Sequence, residues 1–506
     1  MLYIILKSHP QLYKFSVEYD INSKTTIGFG IQGDLNSRQN SMKGNTVIGT
    51  NPSVVDSTIQ TDADSKAHFN NINLNLNLRH QFAQKGRGVN FDLDYGLYEA
   101  TWNEWFTQQF FKNISEIAYK PSQVIWFPWN QKNQIQSIKS DYMHPFKNGT
   151  LEIGIQIRNT QMNIDFEYQQ KVGNIWQINP LRSFNYDYVE TVKAAYFNYN
   201  GKKNKLTYQT GLRYEHSLVN VKTWQFNNSS EQNYGNLFPS LSVQYAYNKK
   251  QSVTFSYTQR ITRPTFTQLN ERPIFFNLYR QTIGNAYLKP TLTSSVEIGL
   301  NINQQLLFSV GYRINRNDIT LVPTLQDNIT YYKSQNFNKS STTFFDVVFA
   351  KNLTPWWNTN TGLQYFYVHN DFRNLRELSG SNSRSLYLRT NNVFSLKNGI
   401  KLELNGFYYP PFESGAFRVL DLKKIDIGLQ KSIFQKKGDL RINITDIFNT
   451  LTTRYLFFAD GIVGDENVKS ESRFIRLSFL YRFGNNYLKV KDKKSGIERE
   501  NNRIEK

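Results

Sequence analysis

The sequence predicts an all-β fold, a large antiparallel β-barrel that crosses a membrane with its strands. Three observations carry that reading. Apolar and polar residues alternate with a period of two in segment after segment. The connections between segments are short and long by turns. No run reaches the roughly 18 apolar residues that a spanning helix needs. A negative mean hydropathy fits as well, because only one face of a barrel strand meets lipid. Aromatic residues make up 15% of the chain, enough to furnish girdles at both membrane interfaces.

The alternation is explicit. Ile72, Leu74, Leu76 and Leu78 fall on one sheet face, with Asn73, Asn75, Asn77 and Arg79 on the other. Val89, Phe91, Leu93 and Tyr95 interleave with Asn90, Asp92, Asp94 and Gly96 in the same way, as do Ile400, Leu402 and Leu404 with Lys401, Glu403 and Asn405. About nineteen strands follow, near 12–20, 25–36, 67–80, 87–100, 134–144, 150–161, 187–199, 205–219, 236–247, 251–261, 291–302, 306–320, 332–350, 356–370, 384–396, 400–409, 420–433, 438–448 and 472–483. Most reach the 9–11 residues that a tilted spanning strand requires.

Tight turns are expected at Asn22-Ser23-Lys24, Lys85-Gly86-Arg87, Lys147-Asn148-Gly149, Asn200-Gly201-Lys202, Asn248-Lys249-Lys250 and Lys397-Asn398-Gly399, since Asn and Gly accept positive φ. Long polar segments lie between these hairpins, at 37–66, 101–132, 219–234 and 262–290. Short turns at one end and long loops at the other are the pattern of bacterial outer-membrane barrels. The first strand runs into a short turn and so heads toward the periplasm, and the last strand, ending at Phe483, runs the same way. An odd number of strands is therefore expected to precede residue 13. In the last strand Ile475, Leu477 and Phe479 take the lipid parity while Arg476 and Arg482 take the other.

The ends are read as follows. Residues 1–12 are taken as a truncated N-terminal segment, because Met1–Leu6 is followed at once by Lys7 and shows neither a basic region nor a cleavage site of a signal peptide. The barrel domain is placed at 13–484. The charged residues 485–506 lack alternation and are expected to form a disordered periplasmic tail.

Several runs resemble the β-barrel of TonB-dependent receptors, in the Bacteroidota-type outer-membrane β-barrel family. The most specific are Phe238-Pro239-Ser240-Leu241, Arg263-Pro264 followed by Gln268-Leu269-Asn270, and Gly284-Asn285-Ala286-Tyr287-Leu288-Lys289-Pro290. Gly211-Leu212-Arg213-Tyr214-Glu215, Asn443-Ile444-Thr445-Asp446-Ile447-Phe448-Asn449 and the final Tyr481-Arg482-Phe483-Gly484 are similar too. Glu271 and Ala286 stand where the family usually has proline. The resemblance implies strands four to twenty-two of a 22-stranded barrel that normally surrounds a plug. It also implies a plug domain and the TonB complex as partners of the full-length protein. No run here resembles the plug or the TonB-contacting segment.

No catalytic constellation emerges, and an enzyme is not expected. Gly28-Phe29-Gly30-Ile31-Gln32-Gly33 matches a dinucleotide fingerprint but sits inside an alternating strand, where glycines relieve crowding or permit bending. The six histidines lack metal-ligand spacing and there is no cysteine, so neither a metal nor any other cofactor is expected. The net charge of +20 reflects a general bias toward Lys and Asn or a surface facing anionic lipopolysaccharide. Outer-membrane lipid and lipopolysaccharide are the expected partners, and nucleic acid is not.

The candidate ligand residues lie on two segments. Trp102, Trp105, Phe106, Trp126 and Trp129 offer rings that could stack on a sugar or siderophore, against the plainer reading of girdle and loop packing. Arg263, Asn270 and Asn285 belong to a Pro- and Gly-punctuated segment expected to be ordered over the barrel mouth. Two functions stand side by side. One is a receptor that, completed by its plug, imports a scarce siderophore, oligosaccharide or peptide. The other is a plugless structural or interaction barrel without transport.

Overall fold

A computed structural model describes residues 2–51, 54–113, 117–224, 228–271, 273–277, 279–373, 375, 381–435, 437–459, 461–483, 497 and 503. All of its strands belong to one sheet. In chain order they begin β1 (Leu2–Asn22), β2 (Thr25–Ile48), β3 (Ser57–Gln81), β4 (Gly88–Lys112), β5 (Ala118–Phe146) and β6 (Gly149–Phe166). The short β7 (Gln169–Val172) and β8 (Ile175–Ile178) lead to β9 (Phe184–Lys203), β10 (Leu206–Thr223), β11 (Asn228–Asn248) and β12 (Gln251–Thr262). Helix α1 (Phe266–Leu269) and the hairpin β13 (Ile274–Asn277) and β14 (Arg280–Ile283) come next, then β15 (Thr291–Ile302), β16 (Leu306–Gln326), β17 (Ile329–Thr354), β18 (Trp357–Asp371) and β19 (Ser381–Ser395). The chain ends with β20 (Ile400–Tyr409), the hairpin β21 (Phe412–Ser414) and β22 (Phe417–Val419), β23 (Leu422–Ile433), β24 (Gly438–Ile444), the hairpin β25 (Thr453–Ala459) and β26 (Ile462–Ser470), and β27 (Ile475–Tyr481).

Setting aside the eight strands of the four short hairpins, nineteen remain as the wall, each laddered antiparallel to the next in sequence. Nineteen is the number that alternation predicts. Both ends of the wall run toward the short turns. β1 has a second neighbour only at Leu2–Ile4, against β26 in parallel, and among the described residues no ladder joins β1 to β27.

The distribution of side chains is inverted relative to a water-soluble protein. Ile153, Ile155 and Ile157 are exposed, while Arg158 on the opposite parity is 5% exposed. Leu76 and Leu78 face out, and Asn73, Asn77 and Asp94 are buried. The inward asparagines bond to one another, with Asn73 Nδ2 donating to Asn71 at 3.1 Å and Asn77 Nδ2 to Asn75 at 2.9 Å. An apolar outer band around a polar interior is what lipid on one side and water on the other select. Within this wall the fingerprint-like glycines lie on β2. A side chain at Gly28 would meet the Asn77 amide at 2.6 Å, so crowding on the inner face explains that glycine.

Four expectations need correction. Residues 2–12 are not outside the barrel but form the upper part of β1. Much of 37–66 and 101–132 is strand rather than loop, because β2, β3, β4 and β5 continue far beyond the lipid band. Above the membrane both faces tolerate polar residues, so the alternation stops although the ladder does not. The turn expected at Asn200-Gly201-Lys202 falls instead at Asn204, whose φ is 53°. Gly201 stays in β9 because the Tyr208 ring lies over it, 2.4 Å from where a side chain would begin. The fourth concerns 485–506, most of which lies outside the described residues together with Gly484. Its two described residues, Ile497 and Arg503, are buried against the inner wall and not in a periplasmic extension.

Candidate ligand surface at the extracellular mouth

The segment 263–290 folds into the mouth of the barrel. Pro264 stops β12 by removing a ladder donor. Thr265 then caps α1, its Oγ1 accepting from Gln268 N at 3.2 Å while Gln268 Oε1 accepts from Thr265 N at 2.9 Å, a reciprocal capping box. The helix buries Phe266 and Leu269. The β13–β14 hairpin packs Phe275 against Phe127, with ring centroids 4.7 Å apart, and β14 adds in parallel to β17. Gly284 lets the chain pass close to α1, since a side chain there would lie 2.1 Å from the Asn270 carbonyl oxygen. Ala286 and Leu288 are buried in the same apolar cluster.

Beneath this cap lies a buried ion cluster. Arg263 sits 3.0 Å from Glu190 through Nε, and its second terminal nitrogen donates to Glu215 Oε2 and Ser217 Oγ, both at 2.9 Å. Arg213 Nε donates to Glu215 Oε1 at 2.6 Å. Glu190 is 1% exposed. The neighbouring Tyr188 is buried as well, at 2% exposure. Higher on the rim Arg280 donates to Glu466 at 2.5 Å with its guanidinium over Phe276.

The eight residues singled out by sequence separate into three places. Trp102, Phe106 and Trp129 face inward. Trp102 stacks on Trp129 at 5.1 Å with an interplanar angle of 6°, and Phe106 packs on Phe127. Trp105 and Trp126 face outward, stacked at 6.4 Å, with Trp176 against Trp126. Arg263, Asn270 and Asn285 all belong to the cap. Asn270 closes α1, and Asn285 Nδ2 donates to the Ser334 carbonyl at 3.1 Å. Pleating divides the tryptophans by parity, so they do not make one platform.

Beside the cap a cavity of about 410 Å³ is lined by Gln268, Asp318, Thr320, Phe337, Glu413 and Phe417 among others. Burial raises the Glu413 carboxyl. Sequence reasoning missed this cavity and the pairing of Arg263 with Glu190 and Glu215, because each group assembles only from segments distant along the chain. Among the described residues no group of His, Asp and Glu has the geometry of a metal site.

Comparison with known structures places this architecture. The pyoverdine outer-membrane receptor FpvA from Pseudomonas aeruginosa PAO1, solved bound to pyoverdine, superposes with a TM-score of 0.57 at 12% identity, covering 94% of this chain and 77% of that one. The ferric-catecholate import receptor Fiu from E. coli K12 gives 0.55 at 9% identity, covering 95% and 81%. BauA, the ferric preacinetobactin receptor of Acinetobacter baumannii, gives 0.53 at 10%, covering 94% and 79%. At such identities the likeness shows the fold. No curated protein matches the sequence. The model of the outer membrane protein beta-barrel family matches residues 80–481, which is most of the inverted wall and all of the mouth segment, and the chain belongs to that outer-membrane family.

Proposed function

We propose that this chain supplies the wall and mouth of an outer-membrane receptor that binds a scarce ligand on the outside and passes it inward. The cap is the observation that carries the reading. A segment fastened by a buried ion cluster narrows the mouth and leaves beside itself a cavity of about 410 Å³, within the usual size of small-ligand sites. A siderophore, an oligosaccharide or a peptide is the class of ligand. The solved siderophore receptors that share the fold are consistent with this. Trp105 and Trp126 remain the proposed ring platform, and Arg263, Asn270 and Asn285 hold the cap rather than touch ligand. A plug and TonB would complete the transporter, with lipid and lipopolysaccharide around it.

The second reading, a barrel without transport, is favoured by Ile497 and Arg503 lying in the lumen. Uptake separates the two. The chain, extended upstream along its native reading frame, would be produced in cells lacking their own siderophore receptors, with and without TonB. TonB-dependent accumulation of ferric siderophore, labelled oligosaccharide or peptide supports the receptor. A reading frame that encodes no plug, or no uptake of any of the three, leaves the structural barrel.

A further inference from the structure

Each of the three guanidinium nitrogens of Arg503 has a hydrogen-bond partner. One terminal nitrogen donates to Glu190 Oε2 at 2.5 Å, the other to the Tyr188 hydroxyl at 3.0 Å, and Nε donates to the Pro264 carbonyl at 3.1 Å. The plane lies over the Phe266 ring, 4.6 Å from its centroid, and the Phe266 amide donates to the Arg503 carbonyl at 3.5 Å. Only 8% of the residue is exposed. A planar fork with donors on three sides suits such a cage, and an ammonium does not. The cage also matches in charge. Arg263 faces Glu190 Oε1 and Arg503 takes Oε2, so each oxygen of a carboxylate that is 1% exposed meets a cation.

A second residue makes the same point lower in the lumen. Ile497 is fully buried among inward-facing Asn73, Gly96 and Ile135, with Cδ1 only 2.7 Å from where a Gly96 side chain would begin. Gly96 stands eight residues above the periplasmic end of β4, and Glu190 thirteen above that of β9. The two described residues therefore lie at rising heights. The six Cα–Cα steps from one to the other can span about 20 Å.

We propose that the lumen contains a guanidinium-binding cage, built from Glu190, Tyr188, the Pro264 carbonyl and Phe266, whose ligand is Arg503 of the same chain. The two described residues beyond β27, Ile497 and Arg503, are thereby docked on the inner wall, Arg503 beneath the cap. This inference stands on the barrel alone and not on transport.

Disulfide trapping tests it, because the chain has no cysteine of its own. Gly96→Cys with Ile497→Cys would be made at the native locus, the second change clearing the methyl that crowds the first. The wall pair Asn75→Cys with Asp94→Cys, neighbours on β3 and β4, reports the folded chain. After mild oxidation of outer-membrane fractions, a tail-to-wall ratio of crosslink above one half supports the proposal, and a lower ratio overturns it. In the tail-pair background Arg503→Ala is expected to reduce the crosslink at least fivefold, with Arg503→Lys failing to restore it. An unchanged yield in Arg503→Ala would show that the cage is not the anchor.

Discussion

At the residue scale the cap depends on Arg263. Removing one partner of a buried ion pair costs about 3–5 kcal/mol, because the carboxylates left behind cannot return to water. Arg263→Ala is expected to loosen 263–290 by about that amount, and Arg263→Lys to recover only part of it, since lysine cannot span Glu190, Glu215 and Ser217 together. Protease cleavage within the segment on intact cells would report both. Asp371 carries a pH dependence. Hydrogen bonds from Arg373 hold its carboxyl below the ordinary range. A depressed folded pKa stabilises fully above the ordinary value of about 4 and less as pH falls toward the folded one. The rim beyond β18 should therefore resist protease equally at pH 7 and pH 5, and lose protection only in stronger acid. Arg373→Gln should abolish that difference. Of these residues the sequence made Arg263 conspicuous through Arg263-Pro264 and Glu215 through the family-like run 211–215, but Glu190 sits in an ordinary alternating strand and nothing in the sequence joined the three. Their meeting is a matter of register, which no short motif records.

At the element scale, alternation revealed every strand that crosses lipid. Ile155 and Gln156 are adjacent on β6 yet face hydrocarbon and lumen respectively. Ile155→Arg should cost about 2–4 kcal/mol at mid-bilayer, and Gln156→Arg much less. Folding of the upstream-extended chain into lipid vesicles across a urea series would show the contrast, and equal midpoints would contradict the assigned faces. What alternation did not reveal was the length of the strands. Continuation of β2 to β5 above the membrane depends on backbone ladders that polar side chains neither favour nor forbid. Hairpin position was legible where Asn or Gly had no competitor, as at Asn398 and Gly399, both with positive φ. It slipped by a few residues at Gly201, where an aromatic neighbour across the ladder holds the glycine in the strand.

On the scale of the whole molecule, the wall is antiparallel throughout but carries an odd number of strands. Among the described residues, β1 below Ile4 and all of β27 have a ladder partner on one side only. Unpaired backbone groups in lipid cost several kcal/mol each, so these residues alone should aggregate on expression. An upstream extension contributing further strands should yield a heat-modifiable, protease-resistant band on a gel. The same band from residues 1–506 alone would show that the edges find partners without it. Barrel class and strand number were readable from sequence because lipid imposes one rule on every spanning residue. The docking of Ile497 and Arg503 was not, because a charged run looks alike whether it is solvated or docked.

The long strands have a consequence for how a cell presents this protein. β5 has 29 residues. At about 3.3 Å per residue and a tilt near 40°, it climbs roughly 70 Å, against an apolar band about 25 Å tall. The rim is a turret standing well clear of the bilayer, among the outermost sugars. Large visitors such as antibodies, phage tails or bacteriocins would reach it before they reached lipid. A peptide epitope inserted at Gly173, the left-handed turn between β7 and β8, should accordingly be stained on unbroken cells.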